Sequence, residues 1–108
     1  MSRSRQKRVS IVLTTIDRRP AAERLAREAV ADRLAACVQM LPVRSVYRWQ
    51  GKIERAAEWL LVFKTARVRA LTAFLRQQHS YQLPEIVSVP VSGGLDAYLD
   101  WVRKETSR

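Results

Sequence analysis

The chain has 108 residues, a formal net charge of +10 and a hydrophobic fraction of 47%, which indicate one folded domain and argue against a disordered chain. A single cysteine excludes an internal disulfide and fits a reducing compartment. No apolar run approaches the roughly 18 residues that span a bilayer, and no secretory signal is recognised, so we expect a soluble, cytoplasmic protein without a membrane partner.

Residues 1–8 are polar and basic, and we expect them to form a flexible tail ahead of a single domain over residues 9–108. A cationic excess of this size is compatible with binding to nucleic acid or another polyanion. Because the sequence contains neither an RNA-binding aromatic motif nor a helix-turn-helix pattern, nucleic acid is not expected as a partner, and a solvated charged surface is the preferred interpretation.

The first predicted elements are a strand and an amphipathic helix. Val9–Thr15 is β-branched and apolar, which is typical of a short buried strand. Asp17 is expected to cap the helix that follows, and Pro20 falls in its first turn, where a missing N–H costs little. Apolar residues then recur at spacings of three and four and predict one buried stripe, formed by Ala22, Leu25, Ala26, Ala29, Val30 and Leu34.

Two unusually long strands follow, over Cys37–Gln50 and Lys52–Thr65. Gly51 supplies the positive φ that a tight turn between them requires. Pro42 cannot donate to a ladder, so it marks a bulge, a bend or a sheet edge. The run Trp59–Phe63 is apolar on both faces, so we expect both of its faces to be covered.

The rest of the chain predicts a helix, a strand and a second short helix. Thr65 is expected to cap a helix that ends near His79, since Pro84 prevents its continuation. Ile86–Val91 reads as a fourth strand, and Leu95–Lys104 reads as a terminal helix. The stripe of the first of these helices contains Val68, Leu71, Phe74 and Leu75, and the terminal helix is expected to bury Leu95, Tyr98, Leu99 and Val102 or Trp101.

This order predicts an α+β fold, a ferredoxin-like βαββαβ sandwich with an extended central hairpin and a C-terminal helix. The two middle strands are about twice the usual five to six residues, and a small sheet cannot cover such a hairpin alone. Pairing with other subunits would cover the hairpin, although the sequence pattern does not give the number of subunits. Tyr47, Trp49 and Trp59 are the aromatic residues that we expect at this interface.

Several motifs carry a family resemblance that extends over about residues 9 to 103. The motifs are Leu34–Cys37, Val46–Glu54, Glu58, Lys64 with Thr65, His79–Ile86 and Tyr98–Trp101. In their order and spacing they resemble the CutA family of divalent-cation-tolerance proteins, and the motifs Val46–Glu54 and His79–Ile86 are the most specific.

The resemblance implies a ferredoxin-like fold and a tight homotrimer whose long hairpins extend the sheets of neighbouring subunits. It also implies a role in tolerance to divalent metals such as copper, and an architecture similar to that of the PII-type regulators. No catalytic activity comes with the family. The sequence agrees, since it contains no phosphate-binding loop, catalytic triad order, CxxC or HExxH motif, and we do not expect an enzyme.

Copper binding in the family is associated with a first-strand cysteine and a His-His pair. The corresponding positions here are Thr14 and the pair Gln78 and His79. Soft thiolate and imidazole ligands suit copper, so we expect at most weak binding of Cu(II) or another divalent metal. The remaining candidate ligands are His79, which is otherwise a helix C-terminal residue, and Cys37, which is otherwise a small buried apolar residue.

A polar cleft between subunits is the candidate ligand site that the family motifs favour. Its expected residues are Glu58, Lys64, Tyr81 and Glu85, with a small anion or a hydrated metal as ligand. The alternative is that these acidic residues make salt bridges within the chain. The predicted function is therefore a non-enzymatic trimer in the response to divalent metal ions, and its alternative is an interaction or PII-like signalling module that recruits a protein or polyanion through its basic surface.

Overall fold

The computed structural model describes residues 6–108, in which an antiparallel four-stranded sheet carries two helices on one face. The strands lie in the order β2-β3-β1-β4, which confirms the predicted ferredoxin-like α+β fold. Most of the predicted tail, residues 1–5, lies outside the described residues. The elements are β1 (Ser10–Ile16), α1 (Arg19–Ala31), β2 (Cys37–Trp49), β3 (Lys52–Thr65), α2 (Val68–Gln78), β4 (Val87–Pro90) and α3 (Asp96–Glu105).

The core lies between the sheet and the helices α1 and α2. Side chains alternate across a strand, so the central strands β1 and β3 each give one row of residues to this layer. Phe63 is fully buried there, and burial of a side chain of that size stabilises the fold by about 2–3 kcal/mol. The fully or almost fully buried cluster contains Val12, Ile16, Ala22, Leu25, Ala29, Ala35, Leu61, Phe63, Leu71 and Leu75.

Both helix starts differ from the predicted capping. The N-cap of α1 is Arg18, with no side-chain capping bond, so the prediction that Asp17 caps this helix was wrong. Pro20 does lie in the first turn. At α2 the N-cap is Arg67, and Thr65 instead accepts a hydrogen bond from the Arg67 amide at 2.8 Å and donates to the Leu34 carbonyl at 2.7 Å. Thr65 therefore ties the helix entry to the loop after α1.

The hairpin of β2 and β3 pairs without a bulge from Cys37 opposite Lys64 to Trp49 opposite Lys52. Gly51 has a φ of 79° at its turn, as predicted. Pro42 is accommodated because β2 is an edge strand with one side free of ladder bonds. The hairpin extends well beyond the helices, and the molecule measures 53 × 25 × 21 Å.

Helix α3 packs mainly through its C-terminal half. Val102 is fully buried, whereas Leu95 is 75% exposed and Trp101 is 41% exposed in the single chain. The predicted burial of Leu95 and Tyr98 was therefore wrong within one chain, whereas of the two alternatives, Val102 and Trp101, it is Val102 that is buried. The physical reason is that only the last turns, held by the Thr106 hydroxyl against the Ala66 amide at 3.2 Å, reach the body of the fold.

The second face of the sheet carries neither α1 nor α2 and is apolar in its central part; we call it the open face. It contains Leu60 and Val62, which are half-buried, and Val89, which is 50% exposed. The expectation that both faces of Trp59–Phe63 are covered is thus met on the helix side only. Across residues 6–108, no helix combines the length and the apolar character needed to cross a bilayer.

Candidate ligand cleft

A cavity of about 890 Å³ lies where the end of β1, the hairpin and the loop after α2 meet. Three carboxylates line it, from Asp17, Glu58 and Glu85, and so do three aromatic side chains, from Tyr47, Trp49 and Tyr81. No lysine, arginine or histidine lines it among residues 6–108. On a chain of net charge +10, the cavity is therefore a local reversal of charge.

Glu58 and Tyr81 form the centre of the cleft. Glu58 is only 7% exposed, and its Oε2 accepts a hydrogen bond of 2.7 Å from the Tyr81 hydroxyl. Burial raises the pKa of Tyr81 above its ordinary value of 10.0, and the hydrogen bond to Glu58 and the charges of Glu58 and Asp17 raise it further. Tyr81 therefore remains a neutral hydrogen-bond donor across the physiological pH range.

His79 fixes the loop that presents Tyr81. Its Nδ1 lies 3.1 Å from the Tyr81 backbone nitrogen, and its Nε2 lies 2.8 Å from the Thr15 carbonyl oxygen. An amide N–H can only donate and a carbonyl can only accept, so Nδ1 is the acceptor and Nε2 carries the proton. Both ring nitrogens are used within the chain, and this leaves no lone pair for a metal ion.

The predicted cleft residues are only partly brought together. Glu58, Tyr81 and Glu85 line the cavity, but Lys64 does not. Lys64 lies six residues beyond Glu58 on β3, about 20 Å along the strand, where it pairs with Ile11. The prediction that Lys64 belongs to a ligand site concerns a cleft between subunits, and it stays a prediction. The absence of a lining cation favours a cationic ligand over the small anion that the sequence left open.

Cys37 lies at the opposite end of the sheet from His79. It pairs with Lys64, which lies opposite Ile11 of β1. Ile11 is about 13 Å along β1 from Thr15, the residue that His79 contacts. Its thiol accepts a hydrogen bond from the Gln39 amide at 3.3 Å. It also neighbours the Tyr98 hydroxyl, whose pKa is raised by burial and by Cys37. The two candidate metal ligands therefore do not share a site within one chain.

The residues at the family's copper positions do not fit that metal. The Thr14 hydroxyl is buried and has no hydrogen-bond partner among residues 6–108, and a neutral hydroxyl is a poor copper ligand. The Gln78 amide oxygen accepts a hydrogen bond from Arg24 at 3.3 Å. Within those residues, no group of three or more His, Cys, Asp or Glu side chains is placed to hold a metal ion.

The aromatic residues predicted at the subunit interface lie on two different faces. Tyr47 and Trp49 lie on the open face of the hairpin and form walls of the cleft. Trp59 instead packs against the core on the helix side, and the Arg19 guanidinium lies 5.8 Å from its ring centroid. Trp59 is thus partly engaged within its own chain, and the interface role of all three residues stays a prediction.

Sequence reasoning missed Asp17 as a residue of the cleft. It follows β1 directly, and its carboxylate lines the cavity rather than capping α1. The sequence feature that could have identified it is its position directly after β1, one residue beyond Ile16, the last residue of β1 that pairs with β3. Its position just before Pro20 and the helix made it read as a capping residue instead.

The comparisons with known proteins concern the family and the fold of the chain. The family model described as CutA1 divalent ion tolerance protein matches residues 10–105. The Arabidopsis thaliana protein called "Protein CutA, chloroplastic" is 38% identical over 99 residues, which are 89% of this chain and 54% of that protein. The chain thus spans about half the length of the first curated relatives that it matches.

Two solved structures show the same fold. The crystal structure of CutA from Xylella fastidiosa has a TM-score of 0.88 and 44% identity, and the match covers 92% of this chain and 98% of that one. The PII-like protein CutA from Nostoc sp. PCC 7120 in apo form has a TM-score of 0.86 and 34% identity, over 91% and 97% of the two chains.

Proposed function

The chain belongs to the CutA1 divalent ion tolerance family, and we propose that it acts as a non-enzymatic homotrimer whose subunit clefts bind a small ligand or, weakly, a divalent metal. The proposed place of action is the cytoplasm, which the single free cysteine supports. The cleft around Glu58 is the observation that carries the proposal, because it combines a cavity with a buried carboxylate and a fixed tyrosine donor.

The apolar part of the open face supports assembly of several chains, and the number three comes from the family resemblance. Val87 and Val89 of β4 are 46% and 50% exposed, and Leu41 of β2 is 44% exposed. An apolar surface of this kind on a single chain is typical of a protein interface. The overlong hairpin has an unpaired edge along β2, and pairing with a neighbouring chain would remove the aggregation hazard of that edge.

Sedimentation of the full chain tests the assembly. We expect a species of about three times the chain mass of 12.5 kDa at micromolar concentration. A well-folded species at the mass of one chain would remove the trimer and its subunit clefts together.

Calorimetric titration with Cu(II) tests the metal separately. Thr14 is a poor copper ligand, and both ring nitrogens of His79 are already in hydrogen bonds. We therefore expect no saturable binding of Cu(II) below millimolar concentration. Tight binding with a stoichiometry of one copper per three chains would instead support capture by three copies of Cys37 near a symmetry axis. Zn(II) titrated under the same conditions serves as the comparison metal.

A second candidate function is an interaction or PII-like signalling module, and the distribution of charge favours it. Arg44, Arg48 and Arg55 share one face of the hairpin, opposite Ala57, Ile53 and Val46 in the ladder. None of the three forms an ion pair within residues 6–108. This face projects beyond the helices and is suited to an acidic partner.

The basic surface can be tested with a mobility-shift assay on RNA as a generic polyanion. A shift that disappears with rising salt and is weakened by the triple change R44Q, R48Q and R55Q would support recruitment through this face. If deletion of residues 1–8 alone abolishes the shift, the tail and not the hairpin is the binder.

A further inference from the structure

We propose that the cleft binds an organic cation with two or more amino groups, of the aliphatic polyamine class, between the carboxylates of Asp17, Glu58 and Glu85. This inference rests on the proposed function, since it names the ligand of the same cleft. The charge of the cavity, its lining and its size each support this ligand class.

The charge of the cavity calls for a cation. Outside the cleft, four of the seven carboxylates have a cationic partner, as in the pairs Arg103 with Asp100 at 2.7 Å and Arg19 with Glu23 at 2.9 Å. None of the three cleft carboxylates has an ion-pair partner within residues 6–108, although the chain carries 20 lysines and arginines. Glu58 is more than nine-tenths buried, and a buried carboxylate without a counter-charge is costly.

The spacing of the carboxylates favours an extended organic cation over a metal ion. A metal ion needs several oxygens within about 2–2.6 Å of one point, and no triad of acidic or histidine side chains with that geometry exists in the described chain. A flexible chain of methylenes with amino groups at intervals can reach separate carboxylates, each with its own ammonium group. Its methylenes can then lie along the apolar walls of the cleft.

The aromatic walls suit the same ligand. Tyr47, Trp49 and Tyr81 line the cavity, and ammonium groups are attracted to the faces of such rings. Tyr81 donates to Glu58 Oε2, which fixes that carboxylate and leaves its Oε1 as an acceptor for an N–H donor. The volume of about 890 Å³ lies within the range of small-molecule pockets.

Calorimetric titration of the full chain with spermidine and with putrescine is the test. We expect saturable binding of one molecule per chain, tighter for spermidine than for putrescine because it carries one more amino group. The substitution Glu58→Gln removes the central charge and keeps the shape, and it should weaken binding at least tenfold. The control Glu28→Gln removes an equal charge on α1, outside the cleft, and should leave binding unchanged.

Three results would overturn the inference. The first is no saturable heat with either amine while the trimer is intact, which contradicts the ligand without touching the proposed assembly. The second is an equal loss of binding in both variants, which indicates a general charge effect. The third is a Glu58→Gln protein that no longer sediments as a trimer, which indicates that a lysine or arginine of a second copy fills the cleft.

Discussion

At Thr14 the chain buries a hydroxyl that has no hydrogen-bond partner among the described residues. An unsatisfied buried polar group costs about 1–3 kcal/mol. Because valine has nearly the same shape, we expect Thr14→Val to raise the free energy of unfolding by about 1 kcal/mol. Denaturant unfolding at one fixed chain concentration measures the change, since the stability of an oligomer depends on concentration.

The control for this substitution is Thr14→Ser, which keeps the hydroxyl and removes a methyl group from a fully buried site. It should lower the stability, whereas the valine variant raises it. A valine variant less stable than the original chain would show that the hydroxyl is satisfied in solution.

The raised pKa of Tyr81 should make the free energy of unfolding decrease with pH in the alkaline range. Its pKa is raised in the folded chain by burial, by the hydrogen bond to Glu58 and by nearby charges. The folded state therefore keeps a proton that the unfolded chain loses near pH 10.0. The stabilisation is fully present below pH 10 and falls as the pH rises above it.

The variant Tyr81→Phe removes this titration. We expect its free energy of unfolding to fall less steeply than that of the original chain between about pH 10 and pH 12, although it is lower at pH 8 because the bond to Glu58 is lost. Denaturant unfolding measured across this range gives both slopes. Parallel curves would mean that Tyr81 has the same pKa in the folded and unfolded chains.

At the scale of elements, the His79 side chain forms a hydrogen bond to β1 at Thr15, a position that the ladder with β4 does not reach. The Val9 carbonyl bonds to Val91 on the β4 side, so the Thr15 carbonyl, an even number of residues along the strand, points to the same side. The ladder between β1 and β4 covers only residues 10–13 of β1. His79 Nε2 supplies the donor that Thr15 would otherwise lack.

The substitution His79→Ala should therefore loosen the loop that carries Tyr81. It removes two hydrogen bonds of about 1 kcal/mol each, so we expect a loss of roughly 2 kcal/mol of stability and faster hydrogen exchange at the Tyr81 amide. The variant His79→Gln can both donate and accept, and it should recover part of the protection. Unchanged exchange in the alanine variant would contradict this role.

The elements were predictable from the sequence because periodicity and turn chemistry agree along most of the chain. The alternation in β2 and β3 and the glycine at position 51 define the hairpin without knowledge of the rest. The boundaries next to Asp17 and Leu95 were not predictable, because capping and burial there depend on tertiary surroundings. The cleft was partly predictable from Glu58, Tyr81 and Glu85 through the family motifs, but the separation of Lys64 follows only from strand register.

At the scale of the whole molecule, the two faces of the sheet differ in how they are covered. The helix side buries Phe63 and Leu61 completely, whereas the open face leaves Leu60 and Val62 half-buried. The edge strand β4, which is only four residues long, is exposed throughout. A partner surface that covers the open face would complete the burial that one chain leaves unfinished.

The substitution Val89→Asp tests that requirement directly. Val89 lies in β4 opposite Ile11, on the open face, and an aspartate in an apolar interface would lose its hydration without gaining a counter-charge. We expect the sedimenting mass to fall from about three times 12.5 kDa toward that of one chain. Circular dichroism on the same sample shows whether the separated chains stay folded.

The matched control is Val30→Asp, because Val30 is similarly exposed, at 44% against 50%, but lies on α1, on the helix side. This variant introduces the same charge on a surface that stays exposed to water in the proposed trimer. Its sedimenting mass should therefore equal that of the original chain. If both variants remain trimeric, the open face is not the interface and the chains associate through another surface. If both dissociate, the effect comes from added charge and not from the face that carries it.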